Sequence, residues 1–89
     1  MLERELTISN RLGLHARATA KLVQLLSSFR CNATLLAKGR EVNAKSIMGV
    51  MLLAAGQGTP VTVRVDGEDE ASALEAVIAL FERRFDEDS

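Results

Sequence analysis

The chain has 89 residues, of which 47% are hydrophobic and 26% charged, and its formal net charge is −1. This balance predicts one globular domain over residues 1–89 and excludes a disordered chain. With no Trp, no Tyr and three Phe, the near-neutral sequence lacks the basic surface and stacking side chains of a nucleic-acid-binding protein. No apolar run approaches the ~20 residues that span a bilayer, so we expect a cytoplasmic protein without membrane contact.

One cysteine and one histidine limit the chemistry further. Cys31 has no partner for an internal disulfide, and its place in an alternating apolar run predicts an unreactive core thiol. One thiol and one imidazole cannot supply the full ligand set of a structural zinc site, so we expect no metal. Because the sequence also lacks a Walker motif and a Gly-rich phosphate loop, it predicts no nucleotide and no other cofactor.

The first predicted element is a strand over residues 2–8, in which Leu2, Leu6 and Ile8 alternate with polar side chains. A loop containing Gly13 follows it. Beyond residue 16 the apolar spacing changes to three and four. This spacing predicts an amphipathic helix that ends near residue 29 and buries Ala18, Leu22, Leu25, Leu26 and Phe29.

A hairpin and a short helix come next. Alternation over residues 31–37, a tight turn at residues 38–40 and a strand ending near Asn43 predict the hairpin. Ser46 then precedes a short helix that Gly56 is expected to close. The predicted core residues of this helix are Val50, Leu52 and Leu53.

The chain ends with a strand and a helix. Residues 61–65 alternate as a strand does, and residues 68–70 place negative charge in the first turn of the last helix, where the helix dipole favours it. The tail over residues 86–89 is expected to fray. The buried stripe of the helix is predicted at Ala71, Leu74, Val77, Ile78, Phe81 and Phe85.

The predicted order is β-α-β-β-α-β-α, and each strand is apolar on one face only. These features predict an α+β fold, because such strands form antiparallel sheets with one covered face. We therefore expect a two-layer open-faced sandwich, in which three helices cover one side of a four-stranded antiparallel sheet.

The only histidine, His15, lies where the first loop ends and the first helix begins. Unpaired N–H groups and the positive end of the helix dipole make this an anion site and favour a neutral, nucleophilic imidazole. Arg17 follows two residues later and can donate charge-assisted hydrogen bonds to anionic oxygens. These groups suit the acceptance of a phosphoryl group, although a histidine that only caps the helix beside an incidental arginine explains the same residues.

Two segments resemble the signatures of one known family. Gly13-Leu14-His15-Ala16-Arg17-Ala18 resembles the active-site signature of HPr, the histidine-containing phosphocarrier of the bacterial phosphotransferase system. Ala44-Lys45-Ser46-Ile47-Met48 resembles the second signature of this family, around its regulatory serine. Gln57-Gly58-Thr59 and Gly67-Glu68-Asp69-Glu70 also match with similar spacing, so the resemblance covers nearly the whole chain.

The resemblance implies a phosphoryl relay. Phosphorylated enzyme I, charged from phosphoenolpyruvate, would pass its phosphoryl group to Nδ1 of His15, and His15 would pass it to a histidine of an enzyme IIA-type acceptor. Arg17 and amides at the start of the helix would bind the phosphate. The chain would then be a carrier rather than a turnover enzyme, and we expect a monomer, because two partners must approach one exposed site.

The resemblance also implies regulation and docking. In bacteria that have an HPr serine kinase/phosphorylase, Ser46 would be its target, although its position as helix N-cap is sufficient to explain the residue. The family has an exposed apolar docking surface beside the histidine, whereas core packing is the alternative role for its apolar members. The residues that match this surface or extend it are Ala16, Ala20, Gln24, Ile47, Met48 and Met51.

Two positions depart from the family pattern, since many members have Ser or Thr in place of Ala16 and Pro in place of Ala18. Proline in a first helical turn is dispensable, because those N–H groups have no intrahelical partner, so we expect the chemistry to persist. Together with Lys45-Ser46-Ile47-Met48 and the acidic end over residues 84–87, these residues resemble the nitrogen-related branch, or the single proteobacterial carrier, more than the sugar-transport form.

Two other functions compete with the phosphocarrier. An HPr-like regulatory module could keep this fold and bind partners without phosphoryl transfer, although such a module would not need both His15 and Arg17. A small RNA-binding α+β domain would need aromatic residues on its sheet or a basic groove, and the sequence has neither.

Overall fold

A computed structural model describes residues 1–88. The strand pairs are antiparallel and the order across the sheet is β1-β4-β2-β3, so the predicted open-faced α+β sandwich is confirmed. No helix between residues 1 and 88 is long and apolar enough to cross a membrane. The elements are β1 (Leu2–Thr7), α1 (Ala16–Ser27), β2 (Asn32–Ala37), β3 (Arg40–Asn43), α2 (Ile47–Leu52), β4 (Pro60–Asp66) and α3 (Glu70–Glu82).

The two central strands explain why the sheet has one buried face. On β4, Thr62 and Arg64 lie partly exposed on the open face, and the valines between and beside them are buried. The buried side chains of the sheet face are Ala33, Leu35, Ala37, Val61, Val63 and Val65, and Cys31 is buried just before β2. The helices cover this face with Ala18, Leu22, Val23 and Leu26 from α1 and Ala73, Val77, Leu80 and Phe81 from α3.

The turn between β2 and β3 is confirmed. Lys38 (φ 54°) and Gly39 (φ 75°) form a two-residue connection, and Ala37 pairs with Arg40 across it. Two consecutive positive φ values are typical of the type I′ turn, whose twist matches that of the strands on either side.

The end of α2 differs from the prediction. The helix stops at Leu52, and Ala54 adopts the left-handed conformation (φ 47°) that we expected of Gly56. Val50 and Leu53 are buried as predicted, but Leu52 is 64% exposed, so its assignment to the core was wrong. A helix of six residues turns its apolar side chains in several directions, and only some of them reach the core.

The predicted start of α3 is wrong in part. The helix begins at Glu70, whereas Glu68 precedes it. The Asp69 carboxylate accepts the backbone N–H groups of Arg30 at 2.8 Å and Cys31 at 2.9 Å instead of capping the helix. These hydrogen bonds, that from Arg30 above all, hold the pKa of Asp69 below its ordinary value. The start of α3 is thereby bound to the connection between α1 and β2.

The buried stripe of α3 is also rotated from the predicted one. Ala71 is exposed, and Leu74 and Ile78 are only half-buried. Both stripes have helical spacing, so periodicity could not decide between them, and the packing of α3 on β1 and β4 selects the buried one. Its buried residues are Ala73, Val77, Leu80 and Phe81.

After α3 the chain makes a tight turn toward α1. The 3-10 turn Arg84–Asp86 has positive φ at each of its residues, 55°, 56° and 62°, a conformation that residues with a Cβ rarely adopt. At its centre Phe85 is 1% exposed, and its ring centroid lies 4.9 Å from that of Phe81. Burial of this ring stabilises the unusual turn.

The expectation of a frayed tail was wrong for Asp86 and Glu87. Nζ of Lys21, on α1, donates to the carbonyl of Phe85 at 3.0 Å and to Oδ2 of Asp86 at 3.3 Å. These contacts join residues more than sixty positions apart, which no local sequence pattern predicts. Ser89, the last residue of the predicted fraying segment, lies outside the described residues.

Candidate functional site

The loop before α1 is held against the connection between α2 and β4. Gly13 has a φ of +65°, and a Cβ there would lie 2.5 Å from the carbonyl oxygen of Ala55 and 2.6 Å from Cα of Gly56. The backbone N–H of Leu14 donates to the same Ala55 carbonyl at 2.9 Å. Only glycine fits so close a backbone approach, so Gly13 lets the loop before His15 lie against this connection.

His15 is the N-cap of α1, as predicted. Its backbone is extended (φ −75°, ψ 179°), and its carbonyl accepts the first helical hydrogen bond from the N–H of Thr19 at 2.9 Å. Nδ1 of the ring accepts the N–H of Arg17 at 3.3 Å, a long and therefore weak cap. The side chain is 29% exposed, so solvent reaches part of the ring.

The other ring nitrogen of His15 contacts the tail. Nε2 lies 2.6 Å from Oε2 of Glu87, whose side chain is 13% exposed. Oε1 of the same carboxylate accepts a hydrogen bond from Nδ2 of Asn10 at 3.0 Å, and Nδ2 also donates to the carbonyl of Gly13 at 2.8 Å. Since a carboxylate is an acceptor only, this contact places a proton on Nε2 and leaves Nδ1 unprotonated in the neutral ring.

The tail carboxylate changes the electrostatics of the site. Burial raises the pKa of Glu87, but hydrogen bonds from Asn10 and His15 and the charge of Arg17 outweigh it, so this pKa lies below its ordinary value. The ionised carboxylate stabilises positive charge on the imidazole, whereas the N-terminus of α1 disfavours it. Our prediction from the helix end alone therefore described only one of two opposing influences.

A cleft of about 420 Å³ opens beside the ring. Arg11, Leu12 and Arg17 line it from the loop and the first turn of α1, and the tail over residues 86–88 lines the opposite side. The structure thus brings His15 and Arg17 to one cleft, as their spacing predicts. A nucleophilic nitrogen, helix-end amides and guanidinium groups can together bind and exchange an anionic group.

Ser46 is the N-cap of α2, as predicted. Its Oγ accepts the N–H of Gly49 at 3.0 Å, and a Cβ on Gly49 would lie only 3.2 Å from that oxygen. The preceding Lys45 donates from Nζ to the carbonyl of Phe29 at 2.7 Å, which binds the start of α2 to the end of α1. Ser46 thus has a structural role, and its modification stays a prediction.

The predicted docking residues on α2 are exposed. Ile47 and Met51 are moderately exposed and Met48 is 79% exposed. Leu52 extends this apolar surface beyond the predicted residues. We name Ile47, Met48, Met51 and Leu52 the α2 patch.

The docking residues predicted on α1 differ in their exposure to solvent. Ala16 and Gln24 are exposed, whereas Ala20 is half-buried. Because α1 packs against α2, these residues and the α2 patch lie on the helical side of the molecule. Their role in docking stays a prediction.

Sequence reasoning missed three residues of the site: Asn10, Arg11 and Glu87. The loop position of Arg11 before the histidine could have indicated a second cation. By contrast, Asn10 and Glu87 approach the ring through tertiary contacts, and Glu87 is separated from His15 by 72 positions. No spacing rule within one helix or loop could have found them.

Comparison with known proteins identifies the family. A family model, the PTS HPr component phosphorylation site, matches residues 2–83. Phosphocarrier protein HPr of Xylella fastidiosa (strain Temecula1) is 70% identical over 89 residues, covering 100% of both chains. Phosphocarrier protein NPr of Shewanella violacea is 42% identical over 88 residues, covering 99% of this chain and 97% of the relative. The crystal structure of HPr-C-His from Thermoanaerobacter tengcongensis matches with a TM-score of 0.96 at 40% identity, covering 100% of both chains. The chain belongs to the HPr family of phosphocarriers of the phosphotransferase system.

Proposed function

We propose that this phosphocarrier accepts a phosphoryl group on Nδ1 of His15 from phosphorylated enzyme I and passes it to an enzyme IIA-type acceptor. The observation that carries the proposal is the accessible imidazole at the N-cap of α1, with Nδ1 directed at the helix N-terminus. Arg17 in the same cleft supports it. A site that both accepts and releases a group must be open to two partners in turn, and this cleft is open.

The transfer step needs only the groups present in the cleft and the donor. The lone pair of Nδ1 attacks phosphorus, the bond between phosphorus and the donor breaks, and its electron pair stays with the donor. Phosphate oxygens then replace Nδ1 as acceptors of the N–H groups at the start of α1, and the Arg17 guanidinium binds them. The reverse sequence transfers the group to the acceptor, so the carrier ends unchanged.

We assign partner docking to the α2 patch together with Ala16, Ala20 and Gln24. Unbranched, polarizable Met48 and Met51 suit a surface that must fit partners of different shape. We also assign Ser46 as the target of an HPr serine kinase/phosphorylase where the host has one. A phosphate there would be stabilised by the N-terminus of α2 but would put charge beside the apolar surface, and so would weaken docking.

Intact-mass spectrometry after incubation with phosphoenolpyruvate and enzyme I tests the proposal. We expect the wild type to gain one phosphate that is lost in acid, and His15→Ala to gain none. Ser46→Ala is the matched control at the other helix N-cap and should keep the gain. Absence of any gain in the wild type favours the regulatory module without transfer, and an equal gain in His15→Ala moves the site to another residue.

A further inference from the structure

The contact between Glu87 and the His15 ring has no part in the transfer step described above. It joins Oε2 to Nε2 at 2.6 Å, on the ring edge away from the attacking nitrogen. Glu87 is the more shielded partner, with 13% of its side chain exposed against 29% of that of His15. A short contact between a shielded carboxylate and the reactive imidazole needs an explanation in the chemistry or in the fold.

The Glu87 carboxylate is held in a defined orientation. Its second oxygen accepts a hydrogen bond at 3.0 Å from Nδ2 of Asn10, which is fully buried. The same Nδ2 binds the carbonyl of Gly13 in the histidine loop, so one amide orients both the loop and the carboxylate. With one oxygen on Asn10 and the other on His15, the carboxylate cannot rotate freely.

The tail that carries Glu87 is anchored independently of this contact. Phe85 is buried at the end of α3, and Lys21 donates to its carbonyl at 3.0 Å. The backbone N–H of Glu87 donates to the carbonyl of Arg84 at 3.0 Å, which closes the turn. The fold therefore delivers the carboxylate to the ring, and the ring is not needed to hold the tail.

We propose that Glu87 is a positioning residue for phosphoryl transfer, which accepts a hydrogen bond from Nε2–H of His15 and so keeps the lone pair on Nδ1. The inference rests on the proposed function. When Nδ1 bonds to phosphorus and the donor keeps the electron pair of the broken bond, the Nε2 proton stays in place. The ring then becomes positively charged, and the ionised carboxylate stabilises that charge.

Glu87→Ala and Glu87→Gln separate this role from mere anchoring of the tail. Glu87→Ala removes the acceptor and the charge, whereas Glu87→Gln keeps an acceptor oxygen and the shape but removes the charge. Glu82→Gln is the matched control, because Glu82 is an exposed residue at the end of α3 outside the cleft and loses the same charge. Circular dichroism and thermal unfolding establish that each variant is folded.

Two measurements test the proposal. In the rate of phosphoryl uptake from phosphorylated enzyme I, we expect Glu87→Ala to be about 10- to 100-fold slower, by analogy with the loss found when the carboxylate partner of a metal-binding histidine is removed. Glu87→Gln should be intermediate, Glu82→Gln unchanged, and added acetate should restore part of the rate of Glu87→Ala. In ring ¹⁵N NMR of the unphosphorylated, neutral imidazole, the wild type should hold its proton on Nε2, and Glu87→Ala should populate both tautomers.

The outcomes distinguish the inference from the proposed function. An uptake rate of Glu87→Ala equal to that of Glu82→Gln overturns the positioning role, and a slow rate that Glu87→Gln restores fully overturns the part assigned to the charge of the carboxylate. Unchanged tautomers in Glu87→Ala overturn it as well, whether or not the wild type is phosphorylated. Loss of uptake in His15→Ala supports the proposed function in each of these cases.

Discussion

The N-termini of α1 and α2 are both capped by a side chain, but the two caps differ in geometry. Each helix begins with a side chain that accepts a backbone N–H: Nδ1 of His15 at 3.3 Å and Oγ of Ser46 at 3.0 Å. The hydrogen bond to Ser46 has an ordinary length, and it is the only contact that its side chain needs for capping. That of His15 is long, and its ring has a second partner, Glu87, from the other end of the chain.

This difference separates stability from chemistry. A serine cap stabilises a helix by about 1 kcal/mol, and Ser46 has the geometry to do so. The weaker cap of His15 holds the lone pair of Nδ1 only loosely, as the proposed attack on phosphorus requires, and Glu87 contacts the other ring nitrogen. In the proposed function the reactive nitrogen therefore lies at the start of α1, whereas α2 has a structural cap and an exposed apolar patch.

Ser46→Asp should produce the largest effect on the α2 side. Asp is as good an N-cap as Ser, so the free energy of unfolding should change by less than about 0.5 kcal/mol. The added charge lies beside the α2 patch, so we expect uptake at His15 to slow by at least about tenfold, through desolvation and repulsion. Stopped-flow or quenched-flow kinetics of transfer from phosphorylated enzyme I measures the rate.

Ser72→Asp is the control for that experiment, because it makes the same change at an exposed position near the start of α3. It should transfer at the wild-type rate. Equal rates in Ser46→Asp and the wild type would remove the regulatory role of Ser46 and leave its capping role intact.

Met48→Asp should have a smaller effect on the same step. The side chain is 79% exposed, so the fold should tolerate the change. Loss of its apolar contact with a partner should slow transfer from enzyme I about fivefold, which corresponds to about 1 kcal/mol. Ala71→Asp, on the exposed side of α3, is the control. If both variants transfer at the wild-type rate, the α2 patch is not a docking surface.

The smallest predicted effect is on stability, and it depends on pH for Glu87 but not for Ser46. The pKa of Glu87 is lowered in the folded protein, so its contribution to stability is fully present above its ordinary value of 4.5 and is lost as the pH falls through the lowered value. Glu87→Gln should therefore lower the Tm by about 2 °C or more near neutral pH and by less in acid. Ser46→Ala should cost about 1 kcal/mol at every pH, because its cap contains no titrating group.

Thermal unfolding of the wild type, Glu87→Gln and Ser46→Ala from neutral to strongly acidic pH measures this difference in stability. A Tm difference for Glu87→Gln that stays constant down to strongly acidic pH would show that the carboxylate contributes nothing through its charge.

Local patterns were sufficient for most of the fold. Alternation and helical spacing predicted the order of the elements, and the Lys38-Gly39 turn followed from its residue types. They failed where tertiary packing determines which residue ends a helix or which face of a helix is buried. Ala54, not Gly56, has the left-handed backbone after α2, and α3 buries a stripe that includes Ala73 and Leu80.

The candidate site divides in the same way. His15 and Arg17 are neighbours in sequence at a helix start, so spacing and helix electrostatics could predict their shared cleft. Glu87 and Asn10 could not be predicted, because the fold brings the tail to the loop through the burial of Phe85 and its contact with Lys21. From sequence alone, a tail that is mostly charged is predicted to be solvated and not to pack against the fold.

The most direct test is to identify the phosphorylated atom. With ¹⁵N-labelled histidine, NMR of the chain after treatment with phosphoenolpyruvate and enzyme I reveals which ring nitrogen is coupled to ³¹P. We predict coupling at Nδ1 of His15 and a proton retained on Nε2. Coupling at Nε2, or phosphate attached to any residue other than His15, would contradict it.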